Sequence, residues 1–456
     1  MWPLSRKSRS AQETLQLGSA PQRSGMSVRS FIAWLGPALM VSIAYMDPGN
    51  YGTDIAAGAG FKYDLLWAVW LASGMAMLLQ YLSGKLGIAS GYSLPELVRQ
   101  SLVKRRYVIP YWLAAEAAAA ATDLAEYLGT VIALNILFGV PLLLASVIGA
   151  LDVIILLAMT GSRFRIVEQY FVLLITVLVM GILYNLTVVK PSLAQVGFHS
   201  VVPLAANSTA LLIVVGIIGA TVMPHALYVH SWLSKNKMAI MAKNDSGAQT
   251  QTVSGSIVDS MDGRAGHHPY SVEQKTRVNR LHRTETVVVL AVAGVVNAGI
   301  LLVAIPLYPN ASITINQFVA ETGQIFGPMV GIIFVLTLLA SGLSASALGT
   351  IAGQVIMEGM TGAKVKVWIR RVVTRGINVF PTTLAILLGL PLLNLLVYSQ
   401  VILSLMIPLP MIPLVYYTSK RKFMGSLVNK PATIGVALVT VCLIVAFNAF
   451  LLSSIV

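Results

Sequence analysis

Two short strings in this sequence carry residue types that could do chemistry. Asp47-Pro48-Gly49-Asn50 lies inside one apolar run, and Met223-Pro224-His225 lies inside another. Each places a charged or polarisable side chain directly before a proline. Proline removes a backbone donor and clashes with the preceding turn, and glycine admits dihedrals that other residues avoid. Both runs are therefore expected to break as helices. In hydrocarbon the freed carbonyls must be met by protein, water or an ion, and an aspartate at that depth is costly without a partner. A cation answers both needs. Asp47 offers a hard, charged oxygen, Asn50 an amide oxygen, and Ala44 and Ala220 backbone carbonyls beside the breaks. Met223 offers a thioether sulfur. Oxygen alone suits Mg²⁺ or Ca²⁺, whereas added sulfur tilts selection towards Mn²⁺, Fe²⁺, Co²⁺, Zn²⁺ or Cd²⁺. A methionine in a membrane helix is ordinarily packing, and the chain has 18 of them. What singles out Met223 is its place before Pro224, matching Asp47 before Pro48.

Further titratable groups lie close by in sequence. Glu116, Asp123 and Glu126 are spaced by seven and three, which puts them on one face of a helix. Residues 117–121 are all alanine, and small residues allow close helix packing. Three carboxylates on one intramembrane stripe suit a proton relay; the plainer alternative is a set of structural polar contacts to neighbouring helices. His225 and His230 are five apart and do not share a face. Histidine titrates near neutrality, so His225, beside Met223, is the better proton carrier of the two. A hydrogen-bonded structural role is the alternative for it.

These residues need elements to hold them. The chain has 456 residues, 56% hydrophobic and 11% charged, with mean hydropathy +0.79. A soluble domain carries roughly a quarter of charged residues, so the solvent for this chain is lipid. Only helices and closed barrels satisfy their backbone there, and long non-alternating apolar runs exclude barrel strands. About eleven spans are expected at roughly 20 residues each: 31–60, 64–88, 108–138, 140–160, 166–189, 208–233, 284–308, 326–358, 373–392, 393–418 and 432–454. Residues 1–29 read as a disordered basic tail, and 238–282 as a flexible polar loop holding His267 and His268. Lys85, Lys104, Arg105, Arg106, Arg163, Arg165, Lys235, Lys364, Lys366, Arg370, Arg371 and Lys420 all fall in segments on one side. That bias places the N-terminus in the cytoplasm and, with an odd span count, the C-terminus outside. The net charge of +14 is thus a loop bias, and no nucleic-acid partner is expected. The single cysteine, Cys442, excludes an internal disulfide and a cysteine metal site. No hydrolase or metalloprotease signature is present, so neither an enzyme nor a resident cofactor is expected. Each broken helix opens a run of five spans, and breaks at matching places in two halves point to a transporter site between inverted repeats.

The two strings closely resemble the paired signature motifs of the Nramp (natural resistance-associated macrophage protein) family. The resemblance extends to Thr122-Asp123-Leu124-Ala125-Glu126, His230-Ser231, Gly349-Thr350-Ile351-Ala352-Gly353-Gln354 and Ser399-Gln400, so it covers the chain from about residue 30 onwards. It implies an all-α membrane protein of LeuT-type fold, with two five-helix inverted repeats, an eleventh helix, and helices one and six unwound. The repeats would be 30–190 and 206–420, and the eleventh span 430–456. It implies a proton-coupled importer of Mn²⁺, Fe²⁺ and similar ions in the plasma membrane. The ligands it implies are Asp47, Asn50, Met223 and the Ala44 and Ala220 carbonyls, with Gln400 joining in some conformations. It also implies a proton route from Asp47 through Asp123 and Glu126 to Arg375. The chain departs from the family pattern at Ala226, where Asn is common, and at Leu343, where Gln is. The rival reading is a LeuT-type carrier of organic amines or amino acids, although an anionic Asp47 beside a thioether suits a bare cation better.

Overall fold

Apolar runs become helices here, and the residues between them decide where each begins. The computed structural model describes residues 45–102, 104–151, 164–204, 207–245, 270–310, 313–363 and 365–455. Ala44, the tail 1–29, and His267 and His268 lie outside them. In chain order the helices are α1 (Pro48–Phe61), α2 (Leu66–Ser90), α3 (Leu94–Ser101), α4 (Arg105–Phe138), α5 (Leu142–Ala150), α6 (Phe164–Val189) and α7 (Leu193–His199). There follow α8 (Ser208–Val222), α9 (Pro224–Asp245), α10 (Val272–Ala304), α11 (Ile315–Phe326), α12 (Pro328–Thr361) and α13 (Val367–Leu387). The last are α14 (Leu392–Met406), α15 (Pro408–Thr418), α16 (Arg421–Met424) and α17 (Pro431–Ile455). No strand occurs among the described residues.

Among the described residues, seven helical stretches are long and apolar enough to cross a membrane: 66–90, 106–138, 208–235, 272–307, 328–361, 392–418 and 431–453. An eighth arises if 173–189 and 193–199, bent by 118°, count together. The expected eleven differ for visible reasons. Spans one and four run partly through residues outside the description. Span nine is helical as α13, but Arg370, Arg371 and Arg375 occupy its first half, so composition alone disqualifies it. Those arginines turn inward: Arg371 and Arg375 are buried.

The expected loop 238–282 is also shorter than its polarity suggests. The helix of span six runs on to Asp245, and α10 begins at Val272. Ser271 and Gln274 form a reciprocal capping box there, which satisfies two of the free donors at a helix start. Polar residues 272–283 are thus helix that extends the apolar span.

Packing places the two interrupted helices in the middle. α1 packs against α10, α8, α14 and α4. α4 packs along α12, where Gly342 lies against Thr130 and the Glu126 carbonyl and Gly349 against the Glu126 carboxylate, a close approach that small residues permit. The last helix is peripheral: only 28% of its apolar window is buried, and Val436, Val439 and Phe450 face outward. A membrane supplies the apolar surroundings such a surface requires.

Candidate metal and proton site

The breaks form where the prolines dictate. Residues 45–47 are non-helical, and α1 starts anew at Pro48. Proline suits that first position because its missing N–H would be unpaired anyway. Asp47 is the N-cap. Its Oδ1 accepts from the Asn50 backbone N–H at 3.1 Å and from Asn50 Nδ2 at 2.9 Å. Its Oδ2, fully buried, has no hydrogen-bond partner among the described residues. The unwound carbonyls are partly met by side chains. Asn50 Nδ2 and Asn297 Nδ2 donate to the Tyr45 carbonyl at 3.2 and 3.3 Å, and Ser341 Oγ donates to that of Met46.

The second break falls at Met223, between α8 and α9. Met223 has φ +46°, a left-handed conformation that costs a non-glycine residue energy and marks a constrained position. It is fully buried. An α-helical carbonyl is met by the N–H four residues on; for Ala220 that residue is Pro224, which has none. Its carbonyl is therefore released by the sequence itself. Thr221 Oγ1 donates to Asn50 Oδ1 at 3.3 Å, so the two breaks touch.

Gln400 lies between them. A side-chain carbon on Gly49 would overlap the Gln400 amide, and one on Gly219 would overlap the Gln400 backbone carbonyl. The glycines therefore let α14 approach both interrupted helices. Gln400 Nε2 donates to Ser399 Oγ at 3.0 Å, while its Oε1 is buried and unbonded. A free carboxylate oxygen, a free amide oxygen, a released carbonyl and a thioether thus belong to three adjoining segments. Among the described residues no group of three His, Cys, Asp or Glu side chains clusters as a metal site. Any metal held here depends on the mixed set of donors.

The span-three acids separate into distinct surroundings. Asp123 is buried against α13. Arg371 Nη1 donates to its Oδ1 at 2.5 Å, Asn378 Nδ2 donates to its Oδ2 at 2.5 Å, and Arg375 Nη2 lies 3.8 Å away. Arg371 is the residue the sequence reading missed; its only signal was membership of a basic pair assigned to a loop. Arg375, the expected relay member, instead donates to Ser346 Oγ and lies over the Tyr127 ring at 4.8 Å. Glu126 is buried with Oε2 unbonded, and it lies within electrostatic reach of both Asp47 and Asp123. Its carboxylate rests on Gly349, where a methyl would crowd it. Glu116 pairs with Arg370 through Nη1 at 3.1 Å and accepts from Trp112. A cavity of about 300 Å³ has Glu116, Asp123, Arg370 and Arg371 among its lining residues, so acids and arginines share one volume.

The histidines part company. His225 Nδ1 meets Thr122 Oγ1 at 3.0 Å, next to Asp123, and its Nε2 is unbonded. His230 instead faces Gln80 at 2.9 Å and the His282 ring at 4.8 Å.

Residues 38–454 match the family model for natural resistance-associated macrophage protein-like proteins. The Deinococcus radiodurans protein described as divalent metal cation transporter MntH is 38% identical over 93% of this chain and 90% of its own length. The Bacillus subtilis protein of the same description is 34% identical over 93% and 92%. The crystal structure of the Eremococcus coleocola manganese transporter, bound to an aromatic bis-isothiourea compound, superposes with TM-score 0.77 at 30% identity. It covers 93% of this chain and 87% of that one. Mhp1, a nucleobase-cation-symport-1 family transporter, shares the fold at TM-score 0.51 and 15% identity, covering 91% and 90%. With both interrupted helices in place and the match running almost end to end, the chain is an all-α integral membrane protein of LeuT-type fold and belongs to the Nramp family.

Proposed function

We propose that this chain carries divalent transition-metal ions, Mn²⁺ and Fe²⁺ among them, across a membrane in symport with protons. The observation that carries the reading is the free Oδ2 of Asp47, fully buried where a helix restarts, with Met223 fully buried at the facing break. The names of the relatives agree with it. Asp47, Met223 and the Ala220 carbonyl are the ligands, with Gln400 Oε1 available from α14. Ala44 is the fifth proposed donor. Asn50 has a larger part in orienting Asp47, since its amide nitrogen and backbone N–H both bind Oδ1. Inverted repeats over 30–190 and 206–420, with the basic segments cytoplasmic, would make this an importer at the plasma membrane.

The proton route follows from the buried acids. A proton leaving Asp47 strengthens its hold on metal, because metal binding requires the deprotonated ligand. Glu126 is within electrostatic reach of both Asp47 and Asp123, and His225, bonded to Thr122, is within reach of Asp123, which supports them as steps of the route. The Asp123–Arg371 pair then leads to the cavity that Glu116 and Arg370 share. An organic-amine carrier is the rival reading, and an anionic Asp47 with a thioether suits a bare cation better.

The test is Mn²⁺ and Ca²⁺ uptake into proteoliposomes, wild type against Met223→Ala. Loss of the sulfur should lower Mn²⁺ uptake at least several-fold and let Ca²⁺ compete, because thioether favours the softer ion. Equal Mn²⁺ selectivity in both proteins would refute the ligand assignment.

A further inference from the structure

Asp54 is a buried carboxylate that the metal site does not use. It lies on α1, seven residues and so about 10 Å beyond Asp47 along the helix axis, on nearly the same face. It is 1% exposed, and neither oxygen has a hydrogen-bond partner among the described residues. Tyr51, one turn before it, is also fully buried with its hydroxyl unbonded, its ring against Phe334 of α12 at 5.2 Å. One turn further on, Gly58 lets the Leu301 carbonyl and Ala304 of α10 close over the helix.

The groups that could balance a charge here can be named. Asp47 and Tyr51 on its own helix are the titratable groups in electrostatic reach of it. The neighbouring stretches contribute no cation. α8, residues 290–304 of α10, residues 328–341 of α12, and α14 contain no Lys, Arg, His, Asp or Glu; Tyr398 of α14 is exposed. From residue 127 onwards α4 offers only Tyr127, which is engaged with Ser146 and Arg375. An ionised carboxylate without a counter-charge or a donor cannot be kept in such a place; the group takes a proton instead.

We propose that Asp54 is a second proton-binding carboxylate of the transport cycle, on the opposite side of the metal site from Asp123. It holds a proton while the helices around the outer part of α1 are closed, as they are here. When they part, its O–H bond breaks, the proton passes to water, and the hydrated carboxylate remains; closure reverses the step. This rests on the proton-coupled reading above. Rising outside pH then holds the protein open and anionic, so uptake falls.

The test uses the full chain in liposomes, with Asp54→Asn as the variant that keeps the shape and stays neutral. Mn²⁺ uptake and internal acidification are followed together as outside pH is raised. The variant should take up Mn²⁺ with a flatter pH profile, by up to about tenfold per pH unit where the group titrates, and with about one proton fewer per Mn²⁺. An unchanged profile and proton count overturn the proposal. Infrared difference spectra supply a readout that does not need transport. The carbonyl stretch of a protonated carboxyl should be present at neutral pH in the wild type and missing from Asp54→Asn; no lost band overturns the proposal even for an inactive variant. Absence of proton entry in the wild type would bring down the coupled reading and this proposal together. Intact coupling with an indistinguishable variant brings down this proposal alone.

Discussion

Arg371 and Arg375 sit one helical turn apart beside the same carboxylate, yet their contacts differ. Arg371 donates directly to Asp123, whereas Arg375 stands 3.8 Å off and is held by Ser346 and Tyr127. Removing one partner of a buried pair costs about 3–5 kcal/mol, because the other charge is left uncompensated. Arg371→Gln should therefore lower the unfolding midpoint in detergent well below that of Arg375→Gln. It should also slow metal-driven acidification of liposomes more. Equal effects would mean that Asp123 is served by both arginines alike. Asp123→Asn, which keeps the size but loses the charge and one of the two acceptor oxygens, should reduce proton entry; unchanged entry removes Asp123 from the route. At this scale the sequence was informative about the proposed ligands and less so about the residues packed around them. Asp47 and Met223 announced themselves by standing before prolines. Asn50, Glu126 and His225 followed from proximity in the chain. Arg371 was invisible, since a basic residue near a span end looks like a loop residue until the helix is seen to carry it inward. Asp54 was passed over because no motif surrounds it.

The elements meet through glycines. Gly219 of α8 lies against the Gln400 carbonyl and the Ser404 N–H of α14, and both are backbone atoms that cannot swing aside. Gly219→Ala should force the two helices apart at the metal site. Overpacking of this kind costs about 1–3 kcal/mol, so the thermal midpoint should fall. Mn²⁺ uptake should fall further than stability alone explains, because Gln400 moves with α14. A midpoint within experimental error of the wild type would show that the contact has slack. Gly49→Ala should be milder in stability, since the atom it meets is the mobile Gln400 amide. Helix positions were largely legible from hydrophobic runs and prolines. Their ends were not: caps at Ser271 and Thr314 decide where α10 and α11 start, and polar helical turns beyond the membrane carry no hydropathy signal. The short helices α3, α7 and α11, which lie between spans, were missed for the same reason.

At the scale of the whole molecule, two interrupted helices are held at the centre by neighbours that supply small residues, amides and hydroxyls. Lipid faces the outside, as the exposed apolar side of α17 shows. Asp47, Asp54, Lys85, Asp123, Glu126, Glu285, Arg371 and Arg375 are buried, and Glu116, Asp123, Arg370 and Arg371 line one cavity. On the proposed reading, the cation path and the proton path meet at Asp47. The pairing of halves was legible because the two breaks recur at matching places. The side-by-side meeting of α1, α8 and α14 was not, because long-range packing leaves no local pattern. The most direct test of the account is X-ray absorption at the metal edge of Cd²⁺-loaded protein, wild type beside Met223→Ala. The account predicts one sulfur among the oxygen neighbours in the wild type and none in the variant. A shell of oxygens alone in both, or a sulfur that survives the substitution, would contradict it.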